Sequence, residues 1–344
     1  MLLSTKVRIL ESNFELLRII AMFMILILHA DFIALGVPGK EDFLSSPITS
    51  IIKILLEELC IVAVNVFVLL SGWFRIKPSV KGFCKFVYQC LFFSVGIFLF
   101  MFMSGRAEFS LREVAGCFFL TQADSYWFIT SYICLYLFAP VLNIFIDNVD
   151  RSTYIKVLIA FFIFQTLYAF LGGGADFFMK GYSAMSFIGL YLLASFVRKF
   201  INSSVYSKSV YFIGYISISL ISTAIFVFCI FTDFSFISDR FLAYSNPLVI
   251  FSSLCLLLFF SKLSFNNRFI NSLSVSVFAV YLLHCNPHVF DLYIESIRAV
   301  VIKQTVNEYL LVLVIVCIWF LIAIIIDQLR IITWRLISEC AKGH

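Results

Sequence analysis

Long apolar stretches recur along the chain and are separated by short polar segments. Each has about twenty residues, enough for an α-helix to cross a bilayer, and none shows the polar–apolar alternation of a membrane β-barrel. Ten of them begin near Phe14, Ile51, Phe83, Tyr126, Tyr154, Tyr182, Ser209, Ser245, Ser274 and Tyr309. The pattern predicts an all-α polytopic membrane protein with about ten transmembrane helices, in which residues 1–344 form a single integral-membrane domain with no appended soluble domain.

The composition supports a location within a lipid bilayer. Of the 344 residues, 62% are hydrophobic, 18% aromatic and only 13% charged, whereas globular domains are far less apolar. The ten cysteines lie mostly inside the apolar stretches and form no CxxC motif. We therefore expect them to act as small apolar side chains, and we expect no metal site.

The distribution of positive charge predicts the orientation. If both termini are cytoplasmic, Lys and Arg are more than twice as frequent in the internal segments as in the external ones, in line with the positive-inside rule. Lys6 and Arg8 precede the first apolar stretch and no small-residue cleavage site follows it, so the first helix is expected to be retained. The net charge of +5 follows from this bias and says little about partners. The lipid bilayer is an expected partner, and nucleic acid is not.

Two ionisable residues, Arg18 and His29, lie within the first apolar stretch. They are eleven residues apart, so on an α-helix they differ by about 20° in direction and about 16 Å along the axis. Ionisable groups inside a span are costly and usually face a bundle interior or a wet cavity, which predicts a polar pathway along this face. For each residue a purely structural explanation stays open. Arg18 could reach the headgroups or pair with Glu15, and a neutral His29 could be satisfied by one hydrogen bond.

The second apolar stretch ends in NVFVLLSGWFRIKP, residues 65–78, at its predicted cytoplasmic end. Arg75 and Lys77 there fit a polyanion at the mouth of the bundle, although the positive-inside bias alone would also explain them. Ser71 and Gly72 allow a ligand or a second helix to approach closely.

Side chains of other spans are expected in the outer half of the bundle, where His29 also lies. An interfacial aromatic belt would equally explain the aromatic ones. Together they could form the wall of a polar site, and they are Glu58 (or its neighbour Glu57), Trp127, Tyr281 and His284.

Four segments, FELLRIIAMFMILILH, VNVFVLLSGWF, YWFITSYICLYLFAP and FAVYLLHCNPH, resemble the membrane-bound acyltransferase-3 family in the same order and at similar spacing. The resemblance spans most of the chain. It implies a ten-helix, multi-pass protein of the bacterial inner membrane. Such proteins transfer acyl groups, most often acetyl from acetyl-CoA, to sugar hydroxyls of O-antigen, exopolysaccharide, capsule or related glycans.

The resemblance also implies roles for individual residues. The family has an arginine followed after ten residues by a histidine on the first helix, so His29 would be the catalytic residue and Arg18 its partner on the donor side. Ser71, Arg75 and Lys77 would bind the donor. Relatives often carry two arginines where this chain has Arg75 and Lys77, and a lysine holds a phosphate only as a point charge.

The expected reaction places the CoA phosphates at the cytoplasmic mouth, near Arg18, Arg75 and Lys77, and the thioester near His29. An acyl-CoA is the expected co-substrate, a lipid-linked or surface glycan the expected acceptor, and no metal is expected. An imidazole is suited to general-base catalysis near neutral pH, and an acyl-imidazole intermediate is an equally open route. The alternative from another class is a polytopic glycan transporter or flippase without acyl-transfer activity, but the sequence shows no internal repeat. A purely structural subunit would not explain two ionisable groups on one helix face.

Overall fold

The computed structural model describes residues 11–120, 126–172, 177–201, 205–232, 234, 237–301 and 306–340, which are helical and contain no β-strand. Lys6 and Arg8 lie outside these described residues. The helices are α1 Ser12–Leu28, α2 Lys40–Ser45, α3 Pro47–Cys60, α4 Val62–Phe74, α5 Val80–Met103, α6 Leu111–Phe119, α7 Trp127–Asn148, α8 Arg151–Gln165, α9 Ala184–Phe200, α10 Lys208–Ile230, α11 Ser238–Phe241, α12 Pro247–Ser261, α13 Arg268–Ser274, α14 Val277–His284, α15 Phe290–Arg298 and α16 Val306–Cys340. Two π-helical segments, His29–Leu35 and Thr166–Leu171, continue α1 and α8.

Seven helical segments in the described part of the chain are long and apolar enough to cross a membrane. They are Ser12–Leu35, Pro47–Phe74, Val80–Met103, Trp127–Asn148, Arg151–Leu171, Lys208–Ile230 and Asn307–Cys340. The three remaining predicted stretches form shorter helices, namely α9, α12 and the pair α13 and α14. The all-helical membrane architecture is thus confirmed, while the count of ten crossings and the cytoplasmic location of both termini stay predictions.

Helix α1 lies at the centre of the bundle. It packs against α3, α4, α12, α13, α14 and α16, and its Leu17 and Ala21 are fully buried. Large apolar side chains such as Phe100 and Ile325 are instead exposed on the outer faces of the helices, as expected where helices meet lipid. The central position of α1 brings Arg18 and His29 into the interior of the protein.

The contact between α4 and α9 is unusually close. A Cβ atom added to Gly72 would lie 2.3 Å from the carbonyl oxygen of Tyr191, so only glycine permits this approach. The Ser195 hydroxyl donates to the Gly72 carbonyl at 2.8 Å, and the Tyr191 hydroxyl accepts from the Ile76 amide at 3.0 Å. These bonds hold the end of α4 firmly against α9.

A buried ion pair joins two neighbouring turns of α16. The Arg330 guanidinium donates to both carboxylate oxygens of Asp327, at 2.8 and 2.7 Å, and both side chains are almost completely buried. Gln89 of α5 adds a third hydrogen bond to Asp327, at 3.4 Å. The charges are therefore satisfied inside the bundle, which is the arrangement that a low-dielectric interior requires.

Candidate active site

The geometry of the first helix changes at His29. The chain is α-helical up to Leu28 and π-helical over the next seven residues, and π-helical turns are frequent at functional sites. Just before this point the Tyr293 hydroxyl donates to the Leu26 carbonyl at 2.6 Å. Just after the π-helix, Lys53 donates to the Gly36 carbonyl at 2.7 Å. Contacts on both sides therefore hold the His29 backbone in place.

His29 is paired with His284, which lies at the end of α14. The Nδ1 atom of His29 is 3.1 Å from the Nε2 atom of His284, and the Nδ1 atom of His284 is 2.6 Å from the Val280 carbonyl oxygen. A carbonyl only accepts, so His284 carries its proton on Nδ1 and accepts on Nε2 from the Nδ1–H of His29. This network assigns the proton of His29 to Nδ1 and leaves its Nε2 with a free lone pair, which is the form of a general base.

Cys285 lies beside this histidine pair. Its Sγ atom is 3.3 Å from the Nε2 atom of His284 and 3.8 Å from the Nδ1 atom of His29. The ligand atoms of the three side chains lie within 4.8 Å of one another, close enough to hold an ion such as Zn²⁺. The hydrogen bonds of the histidine pair account for the same spacing without an ion.

A cavity of about 450 Å³ adjoins His29. Four residues of the first helix, Met22, Ile25, His29 and Ile33, line it at intervals of three or four, so they form one face of the helix. Arg18 precedes Met22 by one turn of this same face. The remaining lining is largely apolar and aromatic, and includes Val64, Phe67, Trp127, Phe128, Tyr182, Tyr244, Phe278, Tyr281, Cys285 and Phe290.

One wall of the cavity is a cluster of three aromatic rings. The centroid of the Trp127 ring lies 4.4 Å from that of Tyr182, and the Tyr182 ring lies 4.8 Å from that of Tyr244. Gly181, at a φ of 100° that favours glycine, lets the two tyrosine segments meet. A Cβ atom added there would lie 2.5 Å from the Tyr244 Cβ.

The Arg18 end of the site is different in character. The Arg18 guanidinium donates to the Glu15 carboxylate at 2.5 Å, so the ion pair that the sequence offered as a structural explanation for Arg18 is present. Its side chain is nevertheless 33% exposed, and the guanidinium carbon lies 5.9 Å from the centre of the Phe74 ring. The face of the first helix that lines the cavity thus has a cation, Arg18, at one end and an imidazole, His29, near the other.

A family model described as an acyltransferase domain matches residues 11–327. The chain belongs to the acyltransferase-3 family. The resemblance found in the sequence is thereby confirmed, and the protein is a membrane acyltransferase. No curated protein and no solved structure matches the chain.

The other residues predicted to bind the donor, Ser71, Arg75 and Lys77, lie at the end of α4 or just beyond it. The Ser71 hydroxyl donates to the Phe67 carbonyl at 3.0 Å and lies 3.3 Å from the Tyr132 hydroxyl. Arg75 forms two hydrogen bonds with the Asp147 carboxylate, at 2.7 and 2.8 Å. These bonds raise the pKa of the Arg75 guanidinium above its ordinary value, so it is always charged. Lys77 is exposed two residues further on.

The structure brings three of the four predicted acceptor residues to the cavity of the acyltransferase. Trp127 and Tyr281 line it, and His284 forms the hydrogen bond to His29. Glu58 is not among the described lining residues. It is 2% exposed, and its Oε1 atom is buried without a hydrogen-bond partner in the described part of the chain.

Two cavity residues, Tyr182 and Tyr244, were missed by the sequence analysis. Tyr182 was taken only as the start of an apolar stretch, and Tyr244 directly precedes the stretch that begins near Ser245. Gly181 could have indicated that Tyr182 contacts another segment, because a glycine next to an aromatic residue at a helix boundary can mark a close approach of two segments.

Proposed function

We propose that this acyltransferase transfers an acetyl group from acetyl-CoA to a hydroxyl of a cell-surface glycan or of its lipid-linked precursor, of the O-antigen, exopolysaccharide or capsule type. The bacterial inner membrane is the proposed location. The observation that carries the proposal is the histidine pair at the cavity, because it gives His29 a free Nε2 beside a space large enough for a substrate group.

The donor is proposed to lie along the first helix. Its phosphates would lie near Arg18, whose guanidinium can bind them with charge-assisted hydrogen bonds. Its pantetheine arm would pass Met22 and Ile25, which line the cavity. About 16 Å separates Arg18 from His29 on the helix, a length that an extended pantetheine arm can cover.

The proposed reaction is a direct transfer with His29 as general base. The Nε2 atom takes the proton of the acceptor hydroxyl while the hydroxyl oxygen bonds to the thioester carbonyl carbon. The carbon–sulfur bond then breaks, and His29 Nε2 passes the proton to the CoA thiolate, which gives the ester and free CoA. The imidazolium formed in between donates more strongly from its Nδ1–H, so the hydrogen bond to His284 stabilises it.

The acceptor is proposed to contact the aromatic wall. Trp127, Tyr182 and Tyr244 line the cavity, and the C–H groups of a pyranose pack favourably on the faces of aromatic rings. This choice of acceptor rests on the lining chemistry together with the sugar hydroxyls that the sequence resemblance implies. No metal takes part in the proposed reaction, because the hydrogen-bonded histidines supply the base.

The test is glycan O-acetylation in a strain that lacks the gene. Surface polysaccharide is analysed by NMR after complementation with wild type, His29→Ala, or the control His288→Ala, at matched membrane abundance. His288 is a histidine that is not among the described lining residues of the cavity.

We expect acetyl signals with wild type and the control, and none with His29→Ala. Unchanged acetylation after deletion, with altered export or chain length, would instead favour a glycan transporter.

A further inference from the structure

A second arginine lies beside Phe74, at the end of α9. The Arg198 guanidinium donates to the Trp73 carbonyl. Its carbon lies 5.5 Å from the centre of the Trp73 ring and 5.2 Å from that of Phe74. The residue is exposed, so the guanidinium is accessible from the surface. In the sequence it contributed only to the positive-inside bias.

Arg18 and Arg198 therefore share one aromatic ring. The guanidinium carbon of Arg18 is 5.9 Å and that of Arg198 5.2 Å from the centre of the Phe74 ring. The two side chains come from α1 and α9, so the chain brings them together only on folding. Both guanidinium carbons thus lie within 6 Å of the centre of one ring, so a ligand that carries several phosphate groups can contact both cations.

The position of Arg198 is well determined. Helix α9 is held against α4 by the close approach at Gly72 and by the hydrogen bond from Ser195 to the Gly72 carbonyl. Trp73 follows directly, and its carbonyl is the acceptor for Arg198. A guanidinium has five N–H groups, so this bond leaves donors for a ligand.

The neighbouring cations are engaged elsewhere. Arg75 is bound to the Asp147 carboxylate and to Asn143. The Lys199 ammonium donates to the Ile146 carbonyl at 2.5 Å. Arg75 uses all three of its guanidinium nitrogens in these contacts, so phosphate binding would require some of them to break. Arg18 uses one nitrogen to bind Glu15, and Arg198 uses one to bind the Trp73 carbonyl, so each keeps other N–H groups for a ligand.

We propose that Arg198 and Arg18, whose guanidinium groups both lie close to the Phe74 ring, together bind the phosphate groups of the acyl-CoA donor. This rests on the proposed function, since it assumes that an acyl-CoA is the donor. The pantetheine arm leaves this subsite along the face of the first helix that carries Arg18, Met22, Ile25 and His29. Arg198 is thus a donor-binding residue and takes no part in the chemical step.

The test measures CoA binding to the purified protein in nanodiscs of zwitterionic lipid, by calorimetry at several salt concentrations. Wild type is compared with Arg198→Gln, Arg198→Lys and the control Lys199→Gln, which removes the same charge from the adjacent position. We expect Arg198→Gln to weaken binding roughly tenfold, as loss of a charge-assisted hydrogen bond implies. Its affinity should also depend less steeply on salt, because one screened charge pair is gone.

Arg198→Lys should recover part of the affinity, and Lys199→Gln should bind CoA like wild type. The inference is overturned if Arg198→Gln binds CoA with wild-type affinity, or if the affinity falls while the salt dependence stays that of wild type, which is the result of a merely structural role. A wild-type protein that binds no CoA would remove the proposed donor itself and this inference with it.

Discussion

Replacing His284 with phenylalanine should slow acetyl transfer without weakening donor binding. The substitution removes the acceptor at 3.1 Å that keeps the proton of His29 on Nδ1. The Nδ1–H of His29 would then be a buried donor without an acceptor, or the proton would move to Nε2, the atom that acts as base in the proposed reaction. His29 itself would remain in its place on the first helix.

The size of the effect follows from the cost of the unpaired donor. Leaving a buried donor without its acceptor costs about 1–3 kcal/mol, and each 1.4 kcal/mol changes a population about tenfold. The productive tautomer of His29, and with it kcat, should therefore fall by about 5- to 150-fold. The KM for acetyl-CoA should stay close to the wild-type value, because the proposed phosphate site near Arg18 is left unchanged.

The assay is the initial rate of transfer of labelled acetyl from acetyl-CoA in membrane vesicles, normalised to protein abundance. His284→Gln should recover part of the rate, since the amide oxygen of glutamine can accept where the Nε2 atom of histidine did. The comparison variant is Tyr293→Phe, which removes the hydrogen bond to the Leu26 carbonyl but keeps both histidine rings. It separates the loss of backbone support near His29 from the loss of the acceptor for its proton. A wild-type rate for His284→Phe, or equal losses in all three variants, would refute the assignment of the proton on His29.

Three further predictions concern the proposed reaction without a metal and the packing of the bundle. Dialysis against EDTA should leave the transfer rate unchanged; stoichiometric zinc that is lost in Cys285→Ser would contradict this. Gly72→Ala should cost about 1–3 kcal/mol of stability, because the new methyl group would lie 2.3 Å from the Tyr191 carbonyl oxygen; a thermal midpoint in detergent equal to that of wild type would show that the helices can separate. Asp327→Ala should lower the free energy of unfolding by about 3–5 kcal/mol, because it leaves Arg330 buried and unpaired. The double variant Asp327→Leu with Arg330→Met, which removes both charges, should have a free energy of unfolding closer to that of wild type.

The sequence by itself determined the features that depend on local order. Apolar stretches of about twenty residues predict helices because the bilayer leaves few alternatives for the backbone, and every predicted stretch is helical in the structure. The spacing of Arg18 and His29 placed them on one face because the helical period is a local property. The order of four motifs was enough to indicate the family.

Contacts between distant segments decided the rest of the candidate site. His284 is 255 residues from His29, and no periodicity could show that the two rings would share a proton. Arg75 pairs with Asp147, and Arg198 shares the Phe74 ring with Arg18; in each case a cation on one helix meets its neighbour on another. Hydrogen bonds and ring contacts act over a few ångströms, whereas the sequence orders residues only along the chain. The packing of the helices therefore determines which charged groups are free to bind a ligand.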